Sequence, residues 1–403
     1  VKYLLVLADG MADYPIFELS NQTPLEYAKT PNIDILAQYA CIGLVKTIPE
    51  GYTPGSDVAN LSVMGYDPAI YYTGRSPLEA ISMGVTLKEK DLALRCNLVT
   101  LSENEEYHDK IMLDYSAGEI SSKEASELIY TLQQKLGEEK ISFYAGVSYR
   151  HLMLWQEAAD YKLKLTPPHD ISDKKIGPYL PEGDKAEKIL ELMQKSQDIL
   201  KEHPVNKKRR QKGLKEANSI WLWGEGRKPS LTSFYQKYGL KGSVVAAVDL
   251  VKGLGIAAGL HPVEVKGATG SIETNFRGKA EAAIKELKNG QDFVYLHIEA
   301  PDEASHQGSL EKKIWAIEQI DKEVIGLVRS VLDYFDDIRI MIMPDHPTPL
   351  SLKTHTSAPV PFMIYDKNNP CYESPGIYNE KYAQEGLFFD SGHKLMDFFI
   401  LGK

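Results

Sequence analysis

Cysteine is scarce in this chain of 403 residues. There are three, Cys41, Cys96 and Cys371, far apart and in no CxxC pair. That spacing excludes a disulfide framework and a structural zinc knot, and it points to a reducing compartment, the cytosol. No apolar run is long enough to cross a bilayer. The run at residues 3–8 is also too short for a secretory core and reads as a buried first strand. Positive charge is in deficit, with 46 Lys and Arg against 56 Asp and Glu. This argues against a nucleic-acid or membrane-surface binder, yet leaves room for a local basic pocket for a small anion. A Walker-type phosphate loop and an internal repeat are missing too. What remains is an ordinary apolar and charged content over a length that allows two or three domains.

The apolar runs are short and arranged in a recurring way. Residues 3–8 form a continuous run, and 293–298 and 338–343 are runs broken only by His297 and Arg339, the pattern of parallel strands buried on both faces. Helical periods lie between them, at 279–287 and 311–332. Strands and helices alternating at this spacing predict an α/β fold with a mostly parallel sheet flanked by helices. The texture changes from about residue 95 to 180. There, residues 97–101, 107–113, 141–145 and 151–155 read as strands, and 121–136 as a helix opened by a Ser-x-x-Glu capping signal. The expected organisation is a core of residues 1–95 and 181–403 with a smaller α/β cap, residues 96–180, inserted in it. Lys207, Lys208, Arg209 and Arg210 form a basic run that reads as solvated helix or loop surface.

Polar residues capable of chemistry sit where the apolar runs end. Asp9 follows the first run, and Asp345 and His346 follow the run at 338–343. Asp302 and His306 stand four apart, so on a helix both side chains face one way. His355 lies in a polar loop, and Ser56 follows Gly55 at the opening of a helical period. Each has a plain alternative: a turn carboxylate at Asp9, a helix cap at Ser56, a surface ion pair at Asp302 and His306, a solvated loop residue at His355. As a set they are three carboxylates, three imidazoles and one hydroxyl, a donor mix suited to a pair of divalent ions. Such ions polarise a phosphoryl group and activate a hydroxyl that is a poor nucleophile alone. The helix start at Ser56 adds backbone N–H groups and a dipole that favour a phosphate placed there.

The motifs Leu7-Ala8-Asp9-Gly10-Met11-Ala12-Asp13, Thr53-Pro54-Gly55-Ser56-Asp57-Val58-Ala59-Asn60 and Thr73-Gly74-Arg75-Ser76-Pro77 carry a resemblance. So do Glu299-Ala300-Pro301-Asp302-Glu303-Ala304-Ser305-His306, Pro344-Asp345-His346-Pro347-Thr348-Pro349 and Lys353-Thr354-His355-Thr356. In this order the chain resembles the alkaline phosphatase superfamily. It is most similar there to cofactor-independent phosphoglycerate mutase in its short archaeal form.

The resemblance implies an alkaline-phosphatase-like core. It implies one metal ion on Asp302, His306 and His355, and a second on Asp9, Ser56, Asp345 and His346. The ions would be manganese, with zinc or magnesium as alternatives. Ser56 would become phosphorylated, and Lys252 would stand near the phosphoryl group. Arg75 would clamp a phosphate or carboxylate, and Asn60, one turn after Ser56, would face the pocket. Arg150 is the first choice in the insert for holding the glycerate part, beside His108, Asp109, Asp114 and His151. The implied partner is a small phosphorylated acid, phosphoglycerate, interconverted between its 3- and 2-isomers without 2,3-bisphosphoglycerate. Two other activities share the same ligand set: a homoserine kinase-like phosphotransfer and a phosphomonoesterase. The sequence carries no signal for an oligomeric state.

Overall fold

The computed structural model describes residues 1–402 apart from 373 and 375. The chain divides into two compact units, Val1–Tyr72 with the chain from Ser230 onward, and Thr73–Pro229.

The first unit is built on an eight-stranded sheet. In spatial order the strands are His261–Pro262, Gly242–Val245, Phe293–Ile298, Lys2–Ala8, Ile338–Met343, Val360–Asp366, Ala40–Val45 and Leu387–Phe389. Every joint is parallel except the two made by Val360–Asp366. The three apolar runs singled out above are the three adjacent central strands, and their side chains are buried on both faces apart from the partly exposed Arg339. Each fully buried Leu, Ile or Val there contributes roughly 1.5–3 kcal/mol of apolar transfer. Register then sets the site: Ala8 pairs with Ile298, and Leu7 with Met343. The residues that follow these strands emerge together at the carboxyl edge of the sheet, where open α/β folds gather ligands.

The second unit is an antiparallel sheet. Leu92–Leu101 lies at its centre, with Ser219–Arg227 on one side and Arg150–Trp155 on the other. Met112–Asp114 pairs with the far end of the central strand, and Ile141–Val147 continues beyond Arg150–Trp155. Helices Ser122–Leu136 and Ala186–Lys201 bury one apolar face each in its core. The Ser121 hydroxyl caps the first of them by accepting from Glu124 N–H.

The expected insert of residues 96–180 is too short at both ends. Strand Leu92–Leu101 runs straight through position 95, and its partner Ser219–Arg227 lies far beyond 180. Helix Ala186–Lys201 packs with that pair and joins the second unit with it.

Three smaller expectations also shift. Residues 107–113 hold a short 3-10 turn, Tyr107–Asp109, before a three-residue strand. The helix expected over 311–332 is interrupted by a π-helical turn, Ile320–Ile325. That turn presents the buried Asp321 carboxylate to Ile33 N–H at 2.7 Å and to the Asn32 amide at 2.9 Å. In the basic run, Arg209 is buried, donating to Glu124, to Lys215 O and to Ala117 O. The three cysteines are free. No helix among the described residues is long and apolar enough to cross a membrane.

Candidate active site

Seven of the residues anticipated from sequence converge at the carboxyl edge of the first unit's sheet. Asp9 follows strand Lys2–Ala8, and Asp345 and His346 follow Ile338–Met343. Asp302 and His306 lie on the short helix Ala300–His306, which begins two residues after strand Phe293–Ile298. Ser56 is the first residue of helix Ser56–Val63, with the extended Gly55 as its cap. His355 comes from the loop beyond His346. Donor atoms of Asp302, His346 and His355 lie within 4.8 Å of one another, as do those of Asp9, Asp345 and His346.

Hydrogen bonds fix which atoms face inward. The Thr348 hydroxyl donates to Asp302 Oδ1 at 2.5 Å, so it can only accept from His346 Nδ1, 3.2 Å away. That places the His346 proton on Nδ1 and leaves Nε2 with a free lone pair. The Ser56 hydroxyl, 3.0 Å from Nε2, therefore donates to it. His306 Nδ1 donates to Lys353 O at 2.9 Å, which turns its Nε2 inward as well. His306 Nε2 then stands 3.1 Å from Asp302 Oδ2 and 3.0 Å from His355 Nε2. The His346 and His355 rings lie 3.9 Å apart between centroids, joining the two groups of donors.

Negative charge is crowded here. Burial, then Asp345, Asp302 and Glu299, raise Asp9 well above the usual carboxylate range. The Asp9 Oδ1 atom is buried with no hydrogen-bond partner, while its Oδ2 meets His297 Nε2 at 2.9 Å. Burial would raise Asp302 too, but bonds to His306 and His355 draw it well below. The bond from Asp302 in turn pushes His306 up to about 9. Without a metal these bonds hold protons between the imidazoles and Asp302, and a cation bound there would displace them. An orphaned buried carboxylate oxygen and inward-facing imidazole nitrogens are the environment a divalent metal ion requires.

A family model described as 2,3-bisphosphoglycerate-independent phosphoglycerate mutase matches residues 37–206. A probable 2,3-bisphosphoglycerate-independent phosphoglycerate mutase of Geobacter sulfurreducens is 49% identical over 99% of this chain and 100% of its own length. The chain belongs to this family. Another member, from Methanosarcina barkeri, is 48% identical over 96% of both chains. The solved cofactor-independent phosphoglycerate mutase of Thermoplasma acidophilum has 26% identity, a TM-score of 0.68 and 99% coverage of each chain.

The other residues expected in the mutase site have the following local partners. Asn60 is fully buried, and its amide is committed within the protein. It donates to Ser56 O and to Asp345 Oδ2, both at 2.8 Å, and accepts from the Tyr295 hydroxyl at 2.6 Å. It orients Asp345 instead of facing an open pocket, because the helix turn from Ser56 points it back at the sheet. Lys252, in helix Asp249–Ala257, pairs with Glu264 at 2.8 Å beside a cavity of about 70 Å³ that Lys279 also lines.

Arg75 and Arg150 lie in the second unit. Arg75 pairs with Glu79 at 3.0 Å, and Arg95 joins the same carboxylate at 3.1 Å while stacking on Trp223. Burial would raise Glu79, but Arg95, Arg75 and Arg150 pull it down. His151 is buried and accepts from Gly146 N–H, and burial lowers it to about 3. Asp114 pairs with Lys215 and bonds Ser116, and His108 pairs with Asp109 on the surface. These four are structural or surface residues of that unit.

Four residues at the centre were not anticipated. His297 bonds Asp9, Thr348 links Asp302 to His346, Thr47 donates to Asp345 O at 2.5 Å, and Glu299 groups with Asp9 and Asp302. Glu299 and Thr348 lie inside motifs quoted above without a role assigned, and His297 shows as an imidazole inside an otherwise apolar strand.

Proposed function

We propose that this chain interconverts 3-phosphoglycerate and 2-phosphoglycerate through a phosphorylated Ser56, with two divalent ions and without 2,3-bisphosphoglycerate. One observation carries the reading. The Ser56 hydroxyl opens a helix and donates to a buried imidazole within a cluster of carboxylates and imidazoles. Membership in the mutase family supports the substrate class.

Asp302, His306 and His355 would hold one ion, and Asp9, Ser56, Asp345 and His346 the other. When bound, such ions lower the hydroxyl's pKa and neutralise charge on phosphoryl oxygens. Manganese suits this mixed oxygen and nitrogen set, while magnesium prefers more oxygen. The protein's own contribution is placement. The helix at Ser56 directs N–H groups and its dipole toward a phosphate on that residue. Asn60 and Gly10 N–H hold Asp345, and His297 holds Asp9. Lys252 would add positive charge near the phosphoryl group by leaving Glu264, which is itself mostly exposed and so weakly paired. Arg75 and Arg150 would take the substrate carboxylate, because guanidinium forks match carboxylates.

The test is turnover under metal control. The protein is stripped with chelator, Mn is added back, and 3-phosphoglycerate is supplied without ATP or 2,3-bisphosphoglycerate. Phosphorus NMR follows 2-phosphoglycerate and free phosphate together. Mn-dependent 2-phosphoglycerate is the expected result. Free phosphate alone would make the protein a phosphomonoesterase. An absence of both products, with homoserine phosphorylated from an added donor, would make it a kinase.

A further inference from the structure

One hydroxyl in this site bonds a ligand of each proposed ion without being a ligand of either. Thr348 is completely buried. Its backbone is held at both ends: its N–H donates to Ala12 O at 3.1 Å, and its carbonyl accepts from Lys313 Nζ at 3.0 Å. The same ammonium bonds Ala12 O and Asp13 Oδ2, so the loop after His346 is fastened to the loop after Asp9. A backbone fixed this firmly leaves the Thr348 hydroxyl little freedom of position.

That hydroxyl has one proton and two lone pairs. The proton goes to Asp302 Oδ1, and a lone pair takes Nδ1–H of His346. Asp302 is the carboxylate of one proposed ion site, and His346 is an imidazole of the other. We propose that Thr348 is a shared positioning residue that orients a ligand of each metal ion through a single hydroxyl. Asp302 receives a bond that fixes its rotamer. His346 receives an acceptor that keeps its proton on Nδ1 and its Nε2 lone pair facing the site. Partners of this kind typically carry 10–100-fold in metal affinity. Asn60 provides the contrast, since its bonds reach Asp345 of one group alone. The inference rests on the two-ion reading above.

The experiment is equilibrium dialysis of the metal-free full chain against Mn, with bound Mn per chain measured over a range of free Mn. The variants are Thr348→Val, which keeps the shape and removes the hydroxyl, and Thr348→Ser, which restores the hydroxyl. Circular dichroism of the metal-free proteins accompanies each. Two Mn per wild-type chain are expected, with both weakened 10–100-fold in Thr348→Val and both recovered in Thr348→Ser. Weakening of only one Mn, or wild-type isotherms for Thr348→Val, would overturn the shared role while leaving the two-ion reading intact. Fewer than two Mn on the wild type would overturn both. Should Thr348→Val not fold, Thr348→Ala, which removes the hydroxyl without setting a methyl group against Asp302, decides: weakening of both Mn supports the role, and wild-type isotherms remove it.

Discussion

The Ser56 hydroxyl stands 3.0 Å from Nε2 of His346, and the direction of that bond is set from the far side of the ring by Thr348. A serine at a helix start ordinarily serves as a cap. Here it is the first helical residue and Gly55 is the cap, so its side chain is released toward the imidazole. Ser56→Ala keeps the helix, since alanine is the better helix former. It should lower kcat by about three orders of magnitude or more. Wild-type chain incubated with labelled substrate and quenched in acid should carry phosphate on Ser56, and the variant none. Turnover at the wild-type rate in Ser56→Ala would eliminate the covalent route.

Gly10 is the next residue whose identity is forced. Its φ is +63°, and a Cβ there would lie 2.5 Å from Asp302 Oδ1 and 2.7 Å from Asp302 Cα. The nearest atoms include backbone, so they cannot swing aside. Gly10→Ala should cost about 1–2 kcal/mol from the left-handed backbone alone, and more from displacing Asp302. A lowered melting temperature and weakened Mn binding in dialysis are expected together. An alanine variant that binds Mn normally would show that Asp302 tolerates the shift.

The strand-end carboxylates and histidines were legible because one local signal, an apolar run ending in a polar residue, marks both the element and its edge. The sheet direction followed from the same runs. Their supporting partners were not legible. Asn60 bonds Asp345, 285 residues away, and His297 bonds Asp9, 288 residues away. Nothing local distinguishes such an asparagine from any helical one. The unit boundary failed for a related reason. Strand Ser219–Arg227 looks like another core strand by composition, and only its pairing with Leu92–Leu101 assigns it to the second unit.

Lys313 and Asp13 form an ion pair at 2.8 Å with both side chains buried. Two further carbonyls satisfy the ammonium, and Leu350 N–H and Tyr14 N–H bond the carboxylate. Breaking such a pair from one side strands the other charge in the core. Lys313→Met should therefore lower unfolding free energy by about 3–5 kcal/mol. The double variant Asp13→Asn with Lys313→Met should recover part of that loss, because the stranded charge is gone. Urea unfolding of the three proteins at neutral pH measures both. Equal stability of the single and double variants would mean that the carboxylate is hydrated once its partner is removed.

Glu380 gives the molecule a pH dependence whose sign is determined. Its carboxylate accepts from Asp13 N–H at 3.1 Å and from the Thr23 hydroxyl at 2.7 Å. Burial pushes its pKa from 4.5 up to about 7, against the opposing pull of those bonds and of Lys313. Between these two values the folded protein keeps a proton that the unfolded chain has released. Stability contributed by this group is therefore greatest below about 4.5, falls as pH rises through the window, and is level above about 7. Glu380→Gln removes the titration while an amide keeps a hydrogen-bonding group at both positions. Relative to the wild type, its melting temperature should climb between pH 5 and pH 7 and then stay constant. Thermal melts at four pH values, with metal held at one concentration, give the comparison. A difference that does not change with pH would mean that Glu380 titrates alike in the folded and unfolded chains, and that water reaches it.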